Sequence, residues 1–117
     1  MLIWWYMKKY LIEYYSDKVQ QEILALPKTL MAKYFQITDI MIDGGSNLGE
    51  PYTKSLSGGL FELRLKGREG IARVFFCTLI GKRIIMLHSF IKKTQKTPIA
   101  ELNTAKKRMK EVQNEKC

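Results

Sequence analysis

Three apolar runs in this 117-residue chain are each interrupted by residues of a different chemistry. Phe61-Glu-Leu-Arg-Leu holds Arg64, with Glu62 two positions earlier. The run from Ile71 to Ile80 has Arg73 as its one charge, and the run from Arg83 to Ile91 holds His88. A guanidinium forks onto the oxygens of a phosphate. An imidazole is the side chain that titrates near neutrality when unperturbed. Two arginines, a histidine and a carboxylate brought to one place would bind a phosphodiester and move protons on it. Lys54, Lys66, Arg68, Lys92, Lys93 and Lys96 would surround them with further cations.

The charge distribution points the same way. The formal net charge is +9. Between Lys54 and Lys96 stand ten Lys or Arg against Glu62 and Glu69, so nearly the whole excess lies in that stretch. A balance of this kind constrains partners, not fold. It is compatible with nucleic acid, an acidic protein or an anionic membrane surface.

The elements that must position these residues are legible as patterns. One domain is expected at this length, with room for a real core. Lys9 to Tyr15 reads as a strand. Ser16 or Asp17 caps a helix with Val19, Ile23 and Leu26 on one side, and Pro27 breaks or restarts it. Leu30, Met31, Tyr34, Phe35, Thr38, Met41 and Ile42 form the stripe of a second helix, which Gly44-Gly45 ends. A turn-rich loop, 44–59, contains Lys54 as an isolated cation. Three strands follow, joined by tight turns at Gly67–Gly70 and Gly81-Lys82, as an antiparallel meander. The middle strand is apolar enough to be covered on both faces. Thr97-Pro98 opens a last helix with Ile99, Leu102, Ala105, Met109 and Val112 as its stripe. The class is α+β: a small antiparallel sheet made of the N-terminal strand plus the meander, a helical hairpin on one face, and a C-terminal helix.

Side chains two apart on a strand share a face. If the hairpin covers the face of Phe61, Leu63 and Leu65, then Glu62 and Arg64 lie on the open face. Arg73 and His88 belong there too, because burying an unpaired charge costs several kcal/mol, roughly. Lys92 extends the line of His88 and Phe90, and Lys54 lies overhead. Each residue also has an ordinary reading. Arg64 beside Glu62 is what a solvated sheet face looks like, and a lone His among apolar residues is more often structural. The coincidence of three such residues on one face favours a site. Cys77 in an apolar run and Cys117 at the last position make neither a metal spacing nor an expected disulfide, which fits a reducing cytoplasm. The apolar start, residues 1–6, is far shorter than the ~20 residues of a membrane span. It reads as a ragged extension, with Met7 an alternative start.

The quoted segments resemble a known family. Leu56-Ser-Gly-Gly-Leu-Phe-Glu-Leu-Arg64, Arg73-Val-Phe-Phe and Ile85-Met-Leu-His-Ser-Phe-Ile-Lys-Lys-Thr-Gln-Lys-Thr-Pro98 are similar to segments of the RelE/ParE/HigB toxins, in the phage-derived HigB-like branch. The resemblance runs from about Tyr10 to Arg108. It implies a RelE-like fold and the toxin of a type II toxin–antitoxin system. The implied activity is endonucleolytic cleavage of mRNA, typically on the ribosome. The implied partner is a helix-turn-helix antitoxin; no cofactor, metal or membrane is implied. Carried over by position, Arg64, Arg73, Lys54, His88 and Lys92 or Lys93 fall on the functional strands. The chain lacks the Tyr near its end that the RelE pattern uses on the 2′-hydroxyl.

Metal-free RNA cleavage requires deprotonation of the 2′-hydroxyl, stabilisation of the phosphorane and protonation of the leaving 5′-oxygen. Arg64 and Arg73 suit the second task. His88, or alternatively Glu62, would be the base. A lysine, Lys54, Lys92 or Lys93, would hold the backbone or act as the acid, with Lys66, Arg68 and Lys96 adding backbone contacts. Phe90 could stack on a base. Products would end in a 2′,3′-cyclic phosphate. Two other classes stay open: a ParE-like toxin that acts on DNA gyrase and cuts nothing, and a non-catalytic RNA-binding module.

Overall fold

Ser16 caps the first helix as the sequence indicates: its hydroxyl accepts the backbone N–H of Val19 at 3.2 Å. In the computed structural model, which describes residues 9–93 and 96–116, the elements run β1 (Leu11–Tyr14), α1 (Asp17–Leu24), α2 (Lys28–Gly44), β2 (Thr53–Ser55), β3 (Leu60–Gly67), β4 (Gly70–Leu79), β5 (Arg83–Lys92) and α3 (Ile99–Lys116). The fold is α+β, with one sheet in the order β1-β5-β4-β3-β2. The ragged extension and alternative start expected at residues 1–7, and the expectation for Cys117, concern residues outside the described ones.

β3, β4 and β5 form the expected antiparallel meander. β4 is its centre and is covered on both faces. On one face Leu63, Leu65, Ala72, Val74, Phe76, Ile84 and Met86 pack against Val19, Ile23, Leu30, Tyr34, Ile37 and Met41 of the helical hairpin. On the other, Leu60, Phe75, Cys77, Ile85, Leu87 and Phe90 pack against Ala105, Met109 and Val112 of α3. Burying each large apolar side chain contributes about 1.5–3 kcal/mol.

Four details differ from the sequence reading. β1 pairs with β5 in parallel, not antiparallel. Lys54 lies in a short strand, β2, paired with β3, where a loop is expected. Phe35 and Ile99, assigned to buried stripes, are exposed, and Ile37 is buried instead. The inward line of α2 runs through 30, 34, 37, 38 and 41, one position away from Phe35. Finally, α3 lies over part of the sheet face expected to be open.

The β3–β4 turn is fastened to the start of α2. Pro27 offers that helix no side-chain cap. The Glu69 carboxylate substitutes, accepting the backbone N–H of Thr29 at 3.2 Å and also its hydroxyl. The Thr29 hydroxyl holds the Glu69 carboxyl below its ordinary value of 4.5. Gly67 makes this approach possible, since a Cβ there would collide with the Thr29 side chain.

Candidate functional site

Strand register assembles the site. Residues directly opposite each other in an antiparallel pair share a face. Arg64 lies opposite Arg73, and Arg73 opposite Phe90, giving one row. Lys54, Glu62, Phe75 and His88 make the row on one side of it. Lys66, Ile71 and Lys92 make the row on the other. The face holding Arg64, Arg73, His88, Lys92, Lys54 and Glu62 is thus the one opposite the helical hairpin.

Glu62 is the hub, with a side chain only 5% exposed. Its Oε1 lies 3.4 Å from Arg73 Nε and 3.6 Å from Arg64 Nε. The Thr97 hydroxyl, just before α3, donates to its Oε2 at 3.2 Å. At the rim, Arg64 Nη1 donates to Glu50 Oε1 at 2.9 Å. Arg73 is as buried as its carboxylate, with 8% of its side chain exposed. Its Nη1 donates to the Ala72 carbonyl at 3.3 Å. The Nε atoms of both arginines have no hydrogen-bond partner among the described residues.

One internal carboxylate therefore faces several cations. Burial lowers the pKa of Arg73; Glu62 opposes that shift and Arg64 adds to it. The guanidinium nonetheless stays charged. Lys92 is also pulled below its ordinary value, by desolvation first and then by Arg73, with Arg64 and Lys54 adding and Glu62 opposing. Lys92 thus feels the charge of every other member of the group. Lys54, Arg64, Arg73 and Lys92 around Glu62 leave an excess of positive charge in a partly desolvated place. That excess favours an anion with several oxygens.

His88 shares the face but is held elsewhere. Its Nε2 lies 2.7 Å from Glu101 Oε1, and Arg108 Nη1 approaches its Nδ1 at 3.5 Å. Arg108 also donates to the Leu87 carbonyl at 2.9 Å. Both partners belong to α3, and Phe75 stands between His88 and Glu62 in the row. Phe90 is 9% exposed and stacks on Phe75 with ring centroids 5.8 Å apart. It is a core residue while α3 is seated, so the stacking role expected of it has no accessible ring. Helical periodicity shows that α3 is amphipathic but not which sheet face it covers.

The remaining cations divide by position. Lys66, Lys93, Lys96 and Arg68 are exposed at the Lys92 end, with Arg68 in the β3–β4 turn. Lys82 and Arg83 sit at the opposite end of β5. There Lys82 Nζ lies 5.4 Å from the centroid of the Tyr10 ring, and Arg83 Nη2 donates to Glu13 Oε1 at 2.5 Å. The stretch from Lys54 to Lys96 is therefore not one basic surface. Glu50, Thr97, Glu101 and Arg108 enter the network without having been singled out. The Thr97-Pro98 helix start was the one signal for that threonine, since it fixes where α3 begins. No signal marks the other three, which depend on packing between elements distant in sequence.

Among the described residues no group of three or more His, Cys, Asp or Glu is placed to hold a metal ion. No helix among them is long and apolar enough to cross a membrane. No curated protein matches the chain significantly. The family model described as "Phage derived protein Gp49-like (DUF891)" matches residues 21–110, a span that runs from α1 into α3 and takes in Lys54, Glu62, Arg64, Arg73, His88 and Lys92. With most of its length so matched, the chain belongs to the Gp49-like family of phage-derived proteins.

Proposed function

We propose that this protein is the toxin of a type II toxin–antitoxin system and acts as a metal-independent endoribonuclease on mRNA, associated with the ribosome. The observation that carries this reading is the pairing of half-buried Arg64 with buried Arg73, set opposite each other over the carboxylate of Glu62. Two guanidiniums with one internal counter-charge support binding of a phosphodiester and stabilisation of the charge that gathers on a phosphorane. The toxin-like segments and the phage-derived family support the same reading. A helix-turn-helix antitoxin is the proposed protein partner.

In the proposed reaction the 2′-oxygen attacks phosphorus while its proton passes to the Glu62 carboxylate. The bond from phosphorus to the 5′-oxygen breaks, and that oxygen takes a proton from Lys92. The products are a 2′,3′-cyclic phosphate and a 5′-hydroxyl. The lowered pKa of Lys92 favours proton donation. His88 serves chiefly to seat α3 through Glu101. Its neighbourhood therefore supports a positioning role more than the base role that residue type alone suggests.

The test is cleavage of mRNA on purified ribosomes, with gyrase supercoiling measured in parallel. Arg73→Ala should lower cleavage by about 100-fold or more, the scale of losing an electrostatic stabiliser. His88→Gln should retain most of it. Intact mRNA together with inhibited supercoiling would replace this reading by a gyrase-directed one. RNA binding without cleavage would leave a binding module.

A further inference from the structure

Phe90 and Phe75 are closed off beneath α3, yet another aromatic side chain lies beside the arginine row. Tyr52 is 44% exposed. It stands one residue before β2, and its carbonyl still accepts the backbone N–H of Arg64 at 2.9 Å. The β2–β3 ladder, with Thr53 opposite Leu63 and Lys54 opposite Glu62, thus continues to place Tyr52 opposite Arg64. Thr53 is buried on the hairpin side. Alternation then turns Tyr52 and Lys54 toward the face of the arginines. Read from the sheet edge inward, the row becomes Tyr52, Arg64, Arg73 and Phe90.

We infer that Tyr52 is the base-stacking residue of this site, holding flat against its ring the nucleobase next to the phosphate bound by Arg64 and Arg73. The inference rests on reading the cluster as an RNA site and deepens it. Residues opposed across an antiparallel pair have Cα atoms about 4.5–5.5 Å apart. That spacing is comparable with the reach from a phosphate to its own base. Lys54, on the same strand, is placed to meet the next phosphate. A base can lie on Tyr52 only if it is unstacked from its neighbours, so the substrate class is single-stranded RNA and not duplex. Stacking tolerates every base, so Tyr52 confers affinity without selecting sequence.

The experiment compares two labelled probes by fluorescence anisotropy. One is a single-stranded RNA oligonucleotide methylated at its 2′-oxygens so that it cannot be cut. The other is an abasic ribose-phosphate oligomer of the same length. Tyr52→Ala should weaken binding of the RNA roughly 10- to 100-fold, leave the abasic oligomer unchanged, and be rescued by Tyr52→Phe. Unchanged binding of the abasic oligomer also shows that the variant is folded. Equal loss on both probes, or no loss on the RNA, overturns the assignment of Tyr52. Arg73→Ala should weaken both probes. If it weakens neither, the cluster is not the RNA site, and that reading fails independently of Tyr52.

Discussion

At the scale of single residues, the site depends on imbalance. Glu62 offsets one guanidinium from within and Glu50 meets the other at the rim, which leaves Lys54 and Lys92 as the excess of positive charge. Lys92 reports that strain most directly. Its pKa lies below the ordinary 10.5, chiefly through desolvation and then through Arg73. The unfolded chain therefore holds this proton more tightly than the folded one, so stability should rise as pH climbs through the window below 10.5. The proposed RNA binding would have the opposite sign, because phosphate needs the charged ammonium. Affinity for an uncut RNA should fall as pH rises through the Lys92 pKa, and Lys92→Arg, which stays charged, should flatten that fall. An unchanged pH profile in Lys92→Arg would remove Lys92 from the site. Cys77 shows the converse case. Burial pushes its thiol up to about 11 in the apolar layer beneath α3, which leaves it inert as a nucleophile near neutrality.

Helices and strands show where the sequence was legible. Alternation in β3, with Leu63 and Leu65 on one side and Glu62 and Arg64 on the other, was enough to place the cluster, because strand periodicity and antiparallel register are local rules. The single charge in β4 was informative for the same reason. The orientation of β1 was not legible, since parallel and antiparallel strands of four residues carry the same pattern. Nor was the seat of α3. An apolar stripe demands a partner surface without naming it, and His88 was therefore read as open when Glu101 and Arg108 enclose it. The turn between β3 and β4 offers a test at this scale. Glu69, held below 4.5 by the Thr29 hydroxyl, stabilises the fold above that value and loses its contribution as pH falls through its lowered pKa. Glu69→Gln should lower Tm modestly at neutral pH, and the two proteins should converge as pH falls below 4.5. Parallel melting curves at every pH would show that the cap contributes nothing.

Over the whole molecule, charge is divided between two ends of one sheet. Lys54, Arg64, Arg73 and Lys92 gather at one, while Lys82 and Arg83 lie at the other against Tyr10 and Glu13. Single-stranded nucleic acid releases counterions so that log affinity falls against log salt by about 0.7 per phosphate neutralised. Four engaged cations should give a slope of about −3 for single-stranded RNA. Lys54→Ala should reduce its magnitude by about 0.7, whereas Lys82→Gln should leave it unchanged. Equal effects from both substitutions would mean that RNA runs along the entire sheet. The parallel pairing of β1 with β5 has a consequence in time. Glu13 and Arg83 meet across 70 positions of chain, so the first strand to be synthesised waits for the last. Until β5 emerges, β1 has no neighbour and the Arg64–Arg73 pair has no Phe90 beside it. Contacts this distant in sequence form late. If the protein acts on the ribosome as proposed, a nascent chain stalled before β5 would lack the assembled row and be harmless to the ribosome making it.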